Sequence, residues 1–291
     1  MIRKIAFLGT PEISTTVLRY IATSGYEIPL VVTGEDKRRG RGSDLTPSPV
    51  KLAALELGLE VSHDPKVLLE TDFDLAVVVA YGRLISEPLL AKGTFVNLHF
   101  SLLPRWRGAA PMERAILAGD TETGVCLMRL VKELDAGPLY QVRRVPLDNE
   151  ICLDDLAAQL GKLANEALGA ELALGDSAFS ASIEQVGPPT YAHKLSVEDL
   201  RIDWSCRGVE VLRQVRLGRA WTVLDGARFK ILSARVSSAE MGLAAGELSG
   251  VHVGTQDGVI ELGRVQPQNK RIMAAGEWVR GLKHANELRF V

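Results

Sequence analysis

The chain reads as an α/β protein: a doubly wound, mostly parallel sheet followed by a small β-barrel. Three features predict this. Over residues 1–180 short apolar runs alternate with helical patterns, as crossover connections between parallel strands require. Gly187-Pro188-Pro189-Thr190 then breaks the alternation. Beyond it, short strand-like segments are separated by turn signals, with little helix between them.

The elements follow in order. Arg3–Leu8 is an apolar run and predicts the first strand. Gly9-Thr10-Pro11 is a turn, and Glu12–Thr23 carries Val17, Leu18 and Ile21 at helical spacing. Glu27–Thr33 predicts a second strand. Gly34–Pro49 is a polar, basic loop and Val50–Leu59 a helix. Leu75–Ala80, with Val77-Val78-Val79 inside it, predicts a buried strand, and Thr94–Leu98 another. Pro111–Ala118 starts a helix, Gly124–Val131 and Leu139–Pro146 look like paired strands, and Cys152–Leu174 is a long amphipathic helix. A linker over 181–202 then divides a first domain, 1–180, from a second, 203–291. The second domain opens with a short helix near Val209–Val215. Turn signals follow at Asp225-Gly226, Gly246, Asp257-Gly258 and Gly276.

Composition narrows the function classes. At 46% hydrophobic and 24% charged residues the chain has the balance of a globular protein able to bury a core. No apolar run approaches the ~18 residues of a membrane span. The apolar stretch after Met1 is too short for a signal peptide and serves better as a strand. Cys126, Cys152 and Cys206 are scattered, without a C-x-x-C pair. That argues against a disulfide framework or zinc site and suits a reducing cytoplasm. Net charge is −2, but it is unevenly spread: from Arg201 onward Lys and Arg exceed Asp and Glu by about five. An acidic first half and a basic second half fit a second domain that meets a phosphate backbone.

The most informative stretch runs from Asn97 to Pro111. Asn97 and His99 are two apart at the end of an expected strand, so an amide and an imidazole share one face. Reactive groups of open α/β sheets gather beyond the carboxyl ends of the strands. The loop Ser101–Gly108 that follows brings Trp106 and two arginines to the same place. Against this, a lone His is most often structural and Asn near a strand end is common turn chemistry. Ser101 suggests a hydrolase nucleophile, but the G-x-S-x-G elbow is absent. Gly9-Thr10-Pro11-Glu12 lacks the further glycines of a dinucleotide loop, which weighs against a nicotinamide enzyme.

Asn97-x-His99-x-Ser101-Leu102-Leu103-Pro104, with Asp135 in Leu134-Asp135-Ala136-Gly137, resembles the signature of the folate-dependent formyltransferases, and within them the branch that acts on methionyl-tRNA. The similarity extends through Phe7-Leu8-Gly9-Thr10-Pro11-Glu12, Gly40-Arg41-Gly42, Leu45-Thr46-Pro47-Ser48-Pro49-Val50-Lys51, Val78-Val79-Ala80-Tyr81-Gly82, Gly108-Ala109-Ala110-Pro111 and Arg201-Ile202-Asp203-Trp204. It implies a Rossmann-like first domain and an OB-like barrel. It also implies transfer of a formyl group from 10-formyltetrahydrofolate to the amine of initiator methionyl-tRNA, with no metal and no membrane partner. Asn97, His99 and Asp135 would be catalytic. Ser101, Leu102, Leu103 and Pro104 would line the folate pocket, with Val79, Ala80, Tyr81 and Gly82 as another wall. Arg41, Lys37, Arg38 and Arg39 would meet tRNA, and the second domain would add contacts through Arg213, Arg216, Arg219, Lys270 and Arg271. In Arg216–Thr222 the chain departs from the family, lacking the prolines commonly found before the tryptophan.

The chemistry agrees with these residue types. Direct acyl transfer needs an oxyanion donor, which an amide supplies, and a proton handler, which an imidazole supplies. Asp135 could reach His99 only through the fold, where a carboxylate would support the ring; Leu-Asp-Ala-Gly is equally a good turn sequence. A nucleotide-sugar N-formyltransferase would share the same three residues; a formyl-folate hydrolase is a third option, and a purine-pathway formyltransferase would usually stop near the linker. The basic run Glu35–Asp44 favours a tRNA substrate, since a sugar nucleotide gives such a finger little to bind. A non-catalytic RNA-binding protein would need the basic second half but not the three site residues together.

Overall fold

The computed structural model describes residues 2–38, 45–282 and 288–291. They fall into two compact units, residues 1–112 with 122–146 and 156–193, and residues 113–121 with 147–155 and 194–291.

In chain order the first elements are β1 (Ile5–Gly9), α1 (Glu12–Thr23), β2 (Val31–Val32), β3 (Lys37–Arg38), β4 (Leu45–Thr46), α2 (Pro49–Glu56), β5 (Val61–Ser62), β6 (Leu75–Val79), α3 (Glu87–Lys92), β7 (Thr94–His99), β8 (Arg107–Gly108), α4 (Pro111–Ala118), β9 (Glu122–Arg129), β10 (Leu139–Pro146), α5 (Leu153–Leu172) and β11 (Tyr191–Ala192). The main sheet has the order β10-β9-β7-β6-β1-β2-β5, parallel except where β9 joins antiparallel to β7 and to β10. Successive strands lead outward from β1 in both directions, so the order reverses between β1 and β6. In open α/β sheets ligands bind outside the carboxyl ends of the strands at such a reversal. β1 and β6 are buried along their whole length, which is why both read as continuous apolar runs.

Local chemistry sets the boundaries. Gly9 is required at the first turn: a Cβ there would lie 2.8 Å from the Ser14 Cβ and 3.0 Å from the Val79 carbonyl oxygen. The close approach lets Ser14 Oγ donate to the Val79 carbonyl at 2.7 Å, tying α1 to the end of β6. The expected strand Glu27–Thr33 shrinks to Val31–Val32, with one isolated bridge from Glu27 to Lys4. Pro29 has no N–H to give a ladder. The expected helix Val50–Leu59 instead begins at Pro49, because the Ser48 hydroxyl accepts the Lys51 N–H at 3.0 Å. It stops at Glu56, just before Gly58 at φ +69°. The loop 34–49 is not wholly irregular: Lys37 pairs with Thr46 and Arg38 with Leu45 in a short antiparallel hairpin.

The second unit adds α6 (Gly208–Val215), β12 (Trp221–Leu224), β13 (Ala227–Ile231), β14 (Ala234–Val236), β15 (Leu248–Ser249), β16 (His252–Gly254), β17 (Val259–Leu262), β18 (Arg264–Pro267), β19 (Met273–Ala274) and α7 (Ala275–Arg280). The expected small barrel takes the form of two four-stranded sheets, β12-β13-β18-β19 and β14-β17-β16-β15, all of whose pairings are antiparallel. The hydrogen-bond ladder turns from one sheet into the other where Leu232 N donates to the Arg264 carbonyl and Gly263 N to that of Ser233. At the opposite edges Val291 exchanges hydrogen bonds with Val223, and Leu248 N donates to the Leu288 carbonyl. Trp204, Phe229, Trp278 and Phe290 stack at the centre of the shared core. Arg201-Ile202-Asp203-Trp204 therefore belongs to the core by alternation: Ile202 and Trp204 are buried, Arg201 and Asp203 exposed. Asp225-Gly226, at φ +48° and +75°, makes the two-residue hairpin between β12 and β13. Gly276 is not a turn; it lies inside α7.

Candidate active site

β7 lies inside the sheet, parallel to β6 on one side and antiparallel to β9 on the other. Its last residues put Asn97 and His99 on one face, as the period of two requires. Among the described residues the Asn97 side chain makes no hydrogen bond, so its amide is available. The His99 ring is only 6% exposed and is held from two sides. Nε2 lies 2.8 Å from the Trp106 carbonyl oxygen. A carbonyl only accepts, so Nε2 carries a proton. Nδ1 faces Asp135 Oδ2 at 3.7 Å, beyond hydrogen-bond distance.

Asp135 comes from the turn between β9 and β10, and its carboxylate is 10% exposed. Oδ2 accepts the backbone N–H of Gly108 at 2.8 Å. Two glycines allow this. Gly108 has φ +118°, and a Cβ on it would lie 2.8 Å from the Ala192 carbonyl oxygen. A Cβ on Gly137 would lie 1.9 Å from the carbonyl oxygen of Arg129, at the end of β9. Asp135 itself has φ +47°. It is thus both a turn residue and a buried carboxylate aimed at the ring.

Other residues are brought to the same region in different ways. Ser101 is buried, and its hydroxyl donates to the Arg105 carbonyl at 2.7 Å, bracing the loop that presents the Trp106 carbonyl. Leu103 is buried against Cys126, Met128 and Leu139. Leu102 and Pro104 keep partial exposure. Val79–Gly82 continue from the end of β6 beside β7, where Val78 pairs with Asn97. Val79 and Tyr81 are buried, while Ala80 is exposed at φ +45°. Cys126 sits opposite His99 in the sheet register. Burial pushes its thiol up to about 11, so it remains protonated near neutral pH.

A second charged cluster stands near the carboxyl ends of β2 and β5. Lys51 Nζ donates to Asp36 Oδ2 at 2.7 Å and lies 3.4 Å from His63 Nε2. His63 Nδ1 is 3.2 Å from the Thr33 carbonyl. Asp36 immediately precedes the hairpin of β3 and β4, so the cluster anchors its root. Lys37 and Arg38 are exposed on β3; Arg39 and Arg41 lie outside the described residues. In the second unit Arg216 donates to the Asp148 carbonyl and Arg219 pairs with Glu113, whereas Lys270 and Arg271 are exposed. Without the family's prolines, the path from α6 to β12 is a turn through Gly218 at φ +69°. The sequence reading missed the Gly108 N–H and the Trp106 carbonyl, because backbone groups carry no residue-type signal.

Comparison with known proteins identifies the family. Residues 3–172 match the formyl transferase family, and residues 194–283 match the formyl transferase C-terminal domain. The methionyl-tRNA formyltransferase of Corynebacterium diphtheriae is 40% identical over 98% of this chain and 99% of that protein. That of Leifsonia xyli subsp. xyli is also 40% identical, over 96% and 97%. That of Neisseria meningitidis serogroup B is 38% identical over 96% and 97%. Among solved structures, WlaRD, a sugar 3N-formyl transferase, superposes with a TM-score of 0.70 at 17% identity, covering 93% of this chain and 100% of that one. HypX from Aquifex aeolicus in complex with tetrahydrofolic acid gives 0.70 at 17%, covering 97% of this chain and 48% of that one. At such identity these two speak to the fold alone.

Proposed function

The chain belongs to the formyl transferase family and, within it, to the methionyl-tRNA formyltransferases, and on that premise we propose that it formylates initiator methionyl-tRNA from 10-formyltetrahydrofolate in the cytoplasm through Asn97, His99 and Asp135. The observation that carries the site assignment is the buried His99, faced by Asp135, on the same strand face as Asn97, whose amide makes no hydrogen bond among the described residues. No helix among the described residues is long and apolar enough to cross a membrane.

The reaction forms a bond between the methionyl nitrogen and the formyl carbon and breaks the bond from that carbon to folate N10. One proton must leave the attacking amine and one must reach the departing nitrogen. Asn97 donates its amide N–H to the oxygen that gains charge in the tetrahedral intermediate. His99 handles the proton. Its Nε2 is committed to the Trp106 carbonyl, so Nδ1 is the ring atom able to take and return a proton. A proton taken at Nδ1 faces the Asp135 carboxylate, which the Gly108 N–H holds in place. Neither Ser101 nor Cys126 is available as a nucleophile: one hydroxyl is tied to a carbonyl, and the buried thiol is protonated. In this reading the formyl group passes directly between substrates. Leu102, Pro104 and Ala80, which keep exposure, are taken as folate-facing, and Lys37 and Arg38, exposed on β3, as contacts for tRNA. Arg39 and Arg41 join them on the sequence alone.

The test offers the protein 10-formyltetrahydrofolate with charged initiator methionyl-tRNA or with a 4-amino-sugar nucleotide and follows formyl incorporation. Formyl on methionyl-tRNA is expected. Formyl on the sugar alone would make the protein a nucleotide-sugar N-formyltransferase, and formate release with neither acceptor modified would make it a hydrolase.

A further inference from the structure

Residues 173–193 lie between the two family matches, and part of this stretch is built into the site. Ile183 exchanges backbone hydrogen bonds with Leu139 at 2.8 and 2.9 Å. β11 pairs parallel with β8, and Thr190 Oγ1 accepts the Trp106 N–H at 2.9 Å. Between these anchors lies Gln185. Its Nε2 donates to the Asp135 carbonyl at 2.8 Å and to the Gly137 carbonyl at 2.9 Å. Its Oε1 accepts from Arg107 Nη2 at 2.7 Å and Nε at 3.1 Å. The amide orientation follows from the partners, since the reverse would set oxygen against two carbonyls and NH2 against a guanidinium.

We propose that Gln185 is a positioning residue for formyl transfer, a clamp that fixes Asp135 relative to His99. The carboxylate depends on two loops. One carries Asp135, at a φ most residues avoid, and the other supplies the Gly108 N–H that holds Oδ2. Gln185 binds both, the first through two carbonyls and the second through Arg107, the neighbour of Gly108. Only a side-chain amide offers two donors and an acceptor at once; Glu has the same shape without the donors. The two anchors hold the segment still, so the clamp restrains Asp135 rather than following it. Gln185 does not touch substrate; it acts through Asp135.

The inference rests on the formyl-transfer reading only for its rate assay. Gln185→Glu removes the two donors and keeps the acceptor for Arg107. Its kcat should fall about tenfold, as a small misplacement of a catalytic group does, with KM for both substrates changed less than about twofold. In an Asp135→Asn background the same change should cost less than about twofold, because the group being positioned is gone. An unchanged kcat, or an equal loss in both backgrounds, overturns the proposal. Gln185→Met, which removes the donors without adding charge, serves the same cycle when the Glu variant does not fold. Wild-type protein that formylates no methionyl-tRNA removes the function reading and leaves the clamp open to a second measurement. The 15N resonances of the His99 ring should move in Gln185→Glu, and unmoved resonances overturn the clamp whatever the substrate.

Discussion

Two carboxylates near the carboxyl ends of one sheet are held in opposite ways. Asp135 is 10% exposed and takes a neutral backbone N–H at 2.8 Å, with the imidazole as its facing partner. Asp36 is 25% exposed and takes the Lys51 ammonium at 2.7 Å. Its Oδ1 is buried without a hydrogen bond among the described residues, 3.8 Å from His63 Nε2. Backbone donors have fixed directions and carry no net charge, so Asp135 has one orientation that dissolved salt does little to change. The ion pair of Asp36 spans two elements through a long flexible side chain and is partly screened by solvent. The catalytic role proposed for Asp135 gains from the first arrangement, and the tRNA contact proposed for Lys37 and Arg38 is served by the second.

If the contrast is right, the largest effects belong to the rigid site. Asn97→Ala should lower kcat by about 10²-fold or more, the scale for losing an oxyanion donor. Steady-state rates that stay near normal would remove Asn97 from the mechanism. Gly108→Ala comes next. The added Cβ would stand 2.8 Å from the Ala192 carbonyl oxygen at φ +118°. Relieving it must shift the N–H that holds Asp135. Strain of about 1–3 kcal/mol should appear as a melting temperature lower by several degrees, together with a tenfold or greater loss of kcat. Lost stability with an intact rate would show that Asp135 does not need this donor.

The two regions also differ in how far the sequence reveals them. Strand period alone put Asn97 and His99 on one face, and the run Val77-Val78-Val79 marked the buried strand beside them. Asp135 was reachable only through the formyltransferase resemblance, since nothing local separates it from an ordinary turn residue. The Gly108 N–H, the Trp106 carbonyl and Gln185 were not legible, because their roles come from loops that meet across as many as 84 residues of chain, as Trp106 and Thr190 do. The stretch 181–202 reads as a linker by composition, yet Gln185 and Thr190 within it hydrogen-bond the site. At the finger the basic composition was plain, whereas the pairing of Lys37 with Thr46 and the Lys51–Asp36 anchor were not.

Smaller effects are expected at the finger, and there they should depend on salt. Arg41→Ala should raise KM for methionyl-tRNA about fivefold and reduce its salt dependence by about one unit of slope, while folate affinity is kept. Asp36→Asn releases Lys51 from a partly exposed pair worth up to about 1 kcal/mol. It should raise the same KM no more than about fivefold at low salt and have little effect at high salt. Kinetic titrations across a salt series check both. A change in kcat that persists at high salt would mean that the finger root communicates with the chemistry and that the two regions are not separate.

The smallest expected effect is at Cys126, and it bears on the mechanism most directly. This thiol pairs in register with His99, the placement a covalent formyl-enzyme route would need. Burial, opposed only weakly by the Leu103 backbone, pushes it up to about 11. The thiolate fraction at pH 8 is then about one in a thousand, and the residue is fully buried against Leu103 and Met128. Iodoacetamide at pH 8 should therefore label the half-exposed Cys152, label Cys206 more slowly because burial and the nearby Asp203 and Glu210 push its thiol up, and spare Cys126, with kcat unchanged. Cys126→Ala should lower stability, as a truncated core side chain does, and leave kcat within about twofold. Inactivation that tracks a single adduct on Cys126 would restore the covalent route. The rigidity around Asp135 would then have to be explained as support for a histidine that activates a thiol rather than one that serves the substrate amine.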